Sequence, residues 1–120
     1  MSKSAAFNIA LALLLAMTAM SADSYAAQEQ PRERSLEEIK TEALARAKTG
    51  MYPMIGLDPG DVSEAFQHIH SKNMDEWAAA FDAVADRYMA QGKALESSDP
   101  VKANAAYLRA WRLYYFGNWP

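Results

Sequence analysis

The chain is 120 residues long and carries 15 acidic against 12 basic side chains, a formal net charge of −3, with no cysteine. That length holds one small domain, and the composition excludes disulfides, a thiol nucleophile and thiolate-bound metal. A mildly acidic chain without a basic stripe is a poor partner for nucleic acid or anionic lipid.

The first segment has the layout of a bacterial secretory signal peptide. Lys3 supplies the positive start, Ala5 to Met20 is apolar apart from Asn8 and Thr18, and Ser24-Tyr25-Ala26 sets small residues ahead of a cleavage point before Ala27. A transmembrane anchor is the competing reading, but the run sits at the lower limit for spanning a bilayer. The small-residue site and the polar Gln28-Glu29-Gln30 favour cleavage, and the lack of cysteine excludes a lipoprotein anchor. Residues 1–26 are therefore expected to be removed, leaving a periplasmic or secreted product with no membrane association. An exported domain this small, without disulfides, draws its stability from packing, a metal or partner surface. Nothing in the sequence points to a metal or a cofactor, so partner surface is the expectation.

Residues 27–34 are polar and contain Pro31, a flexible lead-in. From residue 35 to 120 the reading is all-α. Ser35 and Glu38 form a capping box ahead of Leu36, Ile39, Ala43, Leu44 and Ala47 at helical spacing, and Gly50 ends the run. Much of that face is alanine, so this helix is expected to dock weakly. Met51 to Gly60 holds two prolines and two glycines in ten residues and reads as a loop. Its Met51, Tyr52, Met54, Ile55 and Leu57 are expected to pack onto something. A short helix is predicted over 61–71, with Val62, Ala65, Phe66 and Ile69 on one face. No period-two alternation follows the leader, so no strand is predicted.

The dominant feature is a predicted pair of long helices over 73–117. Asn73 caps the first, with Glu76 completing a second capping box. Met74, Trp77, Phe81, Val84, Tyr88, Gln91 and Leu95 share one face, and Asp75, Asp82, Asp86, Arg87 and Lys93 read as the solvated one. Ser97-Ser98-Asp99-Pro100 stops that helix and starts the next, with Asp99 as cap and Pro100 at the first helical position. The second helix runs through Tyr107, Leu108, Trp111, Tyr114 and Tyr115 to Gly117, read as a left-handed terminator. The ending at Asn118-Trp119-Pro120 reads as cut short. The aromatic set is too dense for one hairpin to bury, so a surplus is expected to line a partner surface or a pocket.

Candidate chemistry is sparse. His68 and His70 are two apart, which on a helix turns their rings about 200° from each other, unlike the i, i+4 spacing of helical chelators. Gly56-Leu57-Asp58-Pro59-Gly60 has the outline of a nucleophile elbow with Asp at the centre. An elbow needs a preceding strand, and without one Asp58 reads as the cap of a turn with Pro59 at its next position. Each serine of the exported portion lies at a cap or turn (Ser35, Ser97, Ser98) or in a short helix (Ser63, Ser71), none in a G-x-S-x-G frame. No catalytic residue and no metal ligand set is assigned.

The run from Ala105 to Pro120, AAYLRAWRLYYFGNWP, preceded by the Trp77-to-Lys93 helix, resembles the N-terminal helical region of α/β-hydrolases of the FrsA-type esterase and 2,6-dihydropseudooxynicotine hydrolase group. In that group a pattern like A-x-x-Y-x-R-A-x-x-x-Y lies on the helix before the hydrolase core. The resemblance covers residues 51–120. It implies that residues 35–120 are an incomplete cap of an enzyme hydrolysing acyl or carbon–carbon bonds with a Ser-His-Asp triad, all of whose members lie beyond this chain. It also implies that Tyr107, Arg109, Trp111 and Tyr114 face the hydrolase core or the substrate entrance. The alternative from the residues alone is a periplasmic, TPR-like helical module that binds a protein or peptide partner, although no second repeat is present.

Overall fold

The structure is a computed structural model that describes residues 31–118. The signal-peptide reading, the start of the lead-in, Trp119 and Pro120 lie outside the described residues. Pro31 to Ser35 carry no regular structure, and the compact unit begins at Arg34. Every regular element among the described residues is helical: α1 (Leu36–Thr49), α2 (Pro59–Phe66), α3 (Met74–Leu95) and α4 (Pro100–Gly117).

Local chemistry fixes each helix start. The Ser35 hydroxyl accepts the Glu38 N–H while the Glu38 carboxylate takes the Ser35 N–H at 2.8 Å, a complete capping box. Asp58 accepts from the N–H groups of Gly60 and Asp61, with Pro59 at the first helical position. Asp99 likewise accepts from Lys102 ahead of α4. At α3 only half of the expected box forms. Asn73 accepts from Asp75 and Glu76, but the Glu76 carboxylate turns outward to the His70 N–H and the Ser71 hydroxyl. Those two donors, Ser71 first, hold the Glu76 carboxyl below the ordinary carboxylate range. Glu76 thus ties the connection before α3 instead of closing its own cap.

The short helix is two residues earlier at its start and five shorter at its end than the spacing predicts. Ile69 is fully buried all the same, because turn bonds from Gln67, His68 and Ile69 N–H groups carry the chain inward after Phe66. Lys40 Nζ then donates to the Ile69 carbonyl at 2.5 Å, linking this turn to α1. α1 buries only Ala47 outright, with Leu36, Ala43 and Leu44 partly covered. Gly50 ends it in the left-handed region at φ 65°, as its position predicts.

α3 and α4 run antiparallel, since Tyr107 meets Gly92, Tyr114 meets Asp86, and Gly117 meets Phe81. The buried stripe of α4 is Ala103, Ala106, Ala110, Leu113 and Gly117, at helical spacing. Gly117 is no left-handed terminator: it lies within α4 without a positive φ, and Asn118 caps the end. What the position requires is space, because a Cβ there would come within 2.6 Å of the Phe81 Cβ. Phe81 is the centre of the core, edge-on to Phe66 and Phe116 at 6.0 and 4.9 Å and stacked with Trp77. Around it Met54, Ile69, Leu113 and Val62 are the other fully buried large side chains. Met74, expected on the buried face of α3, is instead 59% exposed in the first turn.

Gly117→Ala is expected to destabilise the fold by about 1–2 kcal/mol. Overpacking against a rigid Cβ typically costs about 1–3 kcal/mol, and the helix-propensity gain of roughly 1 kcal/mol offsets only part of it. A urea midpoint equal to or above that of the wild type would refute the close-approach account.

Candidate functional site

The residues singled out on α4 separate into three environments. Tyr107 and Tyr114 stand at the edge of the α3–α4 seam. The Tyr107 ring covers Gly92, where a Cβ would lie 2.5 Å from its Cε1, and its hydroxyl donates to Glu96. The Tyr114 hydroxyl donates to Asp86, and the Asn118 amide donates to Asp82 at 3.0 Å. The acidic face of α3 is thus a hydrogen-bonding rail for α4, not only a solvated surface.

Arg109 points the other way, towards α2. Its Nε and Nη2 reach both oxygens of Asp61 at 2.6 and 3.1 Å, and Nη2 also lies 3.3 Å from Asp58. The Tyr88 hydroxyl donates to the same Asp61 at 2.7 Å, and the guanidinium sits 4.5 Å over the Tyr88 ring. Asp61 is only 3% exposed, and no buried side-chain polar atom among the described residues lacks a partner. Burial, then the bond to Asp61, raises the Tyr88 hydroxyl; the bond to Asp61 chiefly raises Arg109. The network joins α2, α3 and α4, and its chemistry is that of a structural clamp. Asp61 gave little warning in the sequence, where an acid in a first helical turn is commonplace.

Trp111 lies on a different face of α4. It is 58% exposed and stacks on Tyr115 at 5.5 Å, itself 54% exposed. With Leu108 and Arg112 they form the face of α4 opposite the alanine stripe. Across a cleft of about 280 Å³ stand Tyr52 and Ile55, 62% and 63% exposed, with Phe116 at its floor. Of the loop residues expected to pack, Met54 and Leu57 are buried, while Met51, Tyr52 and Ile55 remain at the surface. The Arg112 side chain crosses this loop and donates to the Gly56 carbonyl at 3.1 Å. Gly56 permits this twice over, with φ 78° and with no Cβ, which would stand 2.9 Å from Arg112 Nε.

The remaining motifs are structural. Asp58 spends its carboxylate on the α2 cap and on Arg109. His68 and His70 lie past the end of α2, so the helical geometry expected of them does not apply. Among the described residues no group of three His, Asp or Glu side chains could hold a metal ion, and no helix is long and apolar enough to cross a membrane. Comparison with protein-family models, curated proteins and solved structures gave no match.

Asp61→Ala and Trp111→Ala are expected to behave oppositely. Breaking a buried pair costs about 3–5 kcal/mol; because Arg109 is 42% exposed and can turn to water, we expect about 2–3 kcal/mol for Asp61→Ala. Trp111→Ala should stay within about 0.5 kcal/mol of wild type. Equal losses in chemical denaturation would contradict this division between clamp and surface.

The two seam tyrosines give a pH signature. Their bonds to Glu96 and Asp86 push Tyr107 and Tyr114 up to about 12, from an ordinary value of 10.0. The neutral phenol is favoured by folding, so this contribution is complete below pH 10 and disappears as pH rises through 12. Phenolate absorbance should show Tyr107 and Tyr114 titrating late alongside the partly buried Tyr88, with Tyr107 returning towards normal in Glu96→Gln and Tyr114 in Asp86→Asn.

Proposed function

We propose that the chain is an exported helical module that docks on a larger folded body through the outer face of α4 and the loop over 51–57. The body is the catalytic core of a serine-type α/β-hydrolase acting on acyl or carbon–carbon bonds. Residues 1–26 serve as the signal peptide, and the remainder is the cap portion of the enzyme, not catalytic by itself. The observation that carries the docking reading is the continuous exposed cleft of Tyr52, Ile55, Trp111 and Tyr115, since apolar patches of this kind mark interaction surfaces. The identity of the body rests on the resemblance of residues 51–120 to hydrolase caps, an argument from likeness and not from a site.

One observation favours the second reading, a self-sufficient TPR-like module that binds a protein or peptide. The interior closes around Phe81 with five large side chains fully buried and no buried polar atom left unsatisfied among the described residues. Such a core suits a unit that folds without a covering body.

Translation of the DNA beyond codon 120 separates the two. The cap reading expects alternating strands and helices with a G-x-S-x-G turn to follow in frame or after a frameshift. Unrelated sequence beyond an intact stop codon would leave the partner-binding module. On either reading the chain alone should hydrolyse p-nitrophenyl acetate no faster than a histidine-containing buffer, and turnover abolished by Ser63→Ala would overturn this.

A further inference from the structure

We propose that the surface docking into the α4 cleft presents a carboxylate from within an apolar ridge, and that Arg112 is the residue that receives it. This rests on the docking reading above and specifies its chemistry. The cleft has Trp111, Tyr115, Tyr52 and Ile55 as its exposed walls and Arg112 within it, and no acidic residue lines it. Tryptophan, tyrosine and arginine are the side chains that concentrate binding energy at the centres of protein interfaces.

Arg112 differs from Arg109, one turn earlier, in having no carboxylate partner among the described residues. Its one hydrogen bond among the described residues, from Nη1 to the Gly56 carbonyl, holds the guanidinium against the loop. The lack of a side chain at Gly56 lets it lie there. A guanidinium has five donors in a fixed fork, so most remain for a partner. Covering the aromatic walls also covers this charge, and a buried unpaired cation is strongly unfavourable. The occupant must therefore bring the opposite charge to that point, and a carboxylate matches the fork in bidentate geometry.

Charge also decides between occupants. A second copy placed symmetrically over the cleft would set Arg112 near its own mate, with no acid in the lining to intervene. An anionic bilayer is bound by clusters of basic residues, whereas Arg112 is the single basic residue lining this cleft. A protein surface with a single Asp, Glu or terminal carboxylate flanked by apolar side chains fits both the walls and the charge.

The test titrates the full chain with 4-phenylbutyrate and with 4-phenylbutyramide, reading the Trp111 indole and Arg112 guanidinium N–H resonances by nuclear magnetic resonance. The carboxylate should move both resonances and bind about tenfold or more tightly than the amide, the range of a hydrogen bond to a charged group. Arg112→Gln should bind the two probes alike. Because the two probes are compared on the wild-type chain, the result does not depend on how well the variant folds. Equal affinity on the wild type, or carboxylate shifts confined to residues outside the cleft, would overturn the carboxylate assignment and leave the docking reading standing. If neither probe moves Trp111 or Tyr115, the docking reading loses its support as well. Sedimentation with phosphatidylglycerol vesicles, or a dimer that separates on Trp111→Ala, would reassign the cleft to lipid or to a second copy and overturn the proposal.

Discussion

The closeness of α3 and α4 governs the rest of the molecule. What α4 offers to its neighbour is mostly alanine and glycine, with Leu113 the one large side chain in the stripe. Helices approach as near as the side chains between them allow. Here there is no room for a methyl group at Gly92 or Gly117 without displacing Tyr107 or Phe81. Bulk enters the seam from α3 and α2, through Phe81, Val84 and Phe66. Apart from Phe116, which meets Phe81 edge-on, the aromatic side chains of α4 are consequently kept out of it. Tyr107 and Tyr114 are pushed to the edge, where their hydroxyls find carboxylates, and Trp111 and Tyr115 are turned outward.

That constraint also explains what could be read from the sequence. Helix starts are local chemistry, so Ser35, Asn73 and Asp99 were legible as helix caps and Asp58 as the cap of a turn, and each makes its bond. All-helical architecture was legible from periodicity. The buried face of α4 was not, because large apolar residues invite assignment to the core, whereas much of any folded surface is apolar. The alanine stripe has the same period as the aromatic one and differs only in direction. The role of Gly117 was hidden for a related reason: a glycine near a helix end suggests a left-handed cap, and only the position of Phe81 on another helix shows that it is there for space. Asp61 was passed over and Glu76 misjudged because their partners, Arg109 and the turn at His70 and Ser71, are remote in sequence or on an irregular segment.

The two arginines of α4 show how the interior builds the surface. A buried ion pair gives little net stability compared with apolar residues of the same shape. What the Arg109–Asp61 pair supplies is position, since it fixes the start of α2 across the hairpin together with Tyr88. The loop over 51–57 ends where α2 begins, so its far end is set by this clamp. Its near end is held by Arg46 donating to the Tyr52 carbonyl at 2.7 Å. Between those anchors Met54 and Leu57 turn inward and Tyr52 and Ile55 turn outward. The outward pair then faces Trp111 and Tyr115 with Arg112 between. An internally neutralised guanidinium thereby holds in place the loop against which an uncompensated one rests, three residues further along the same helix. Loosening the first should open the cleft around the second, so the stability of the clamp and the shape of the exposed surface are not independent properties of this fold.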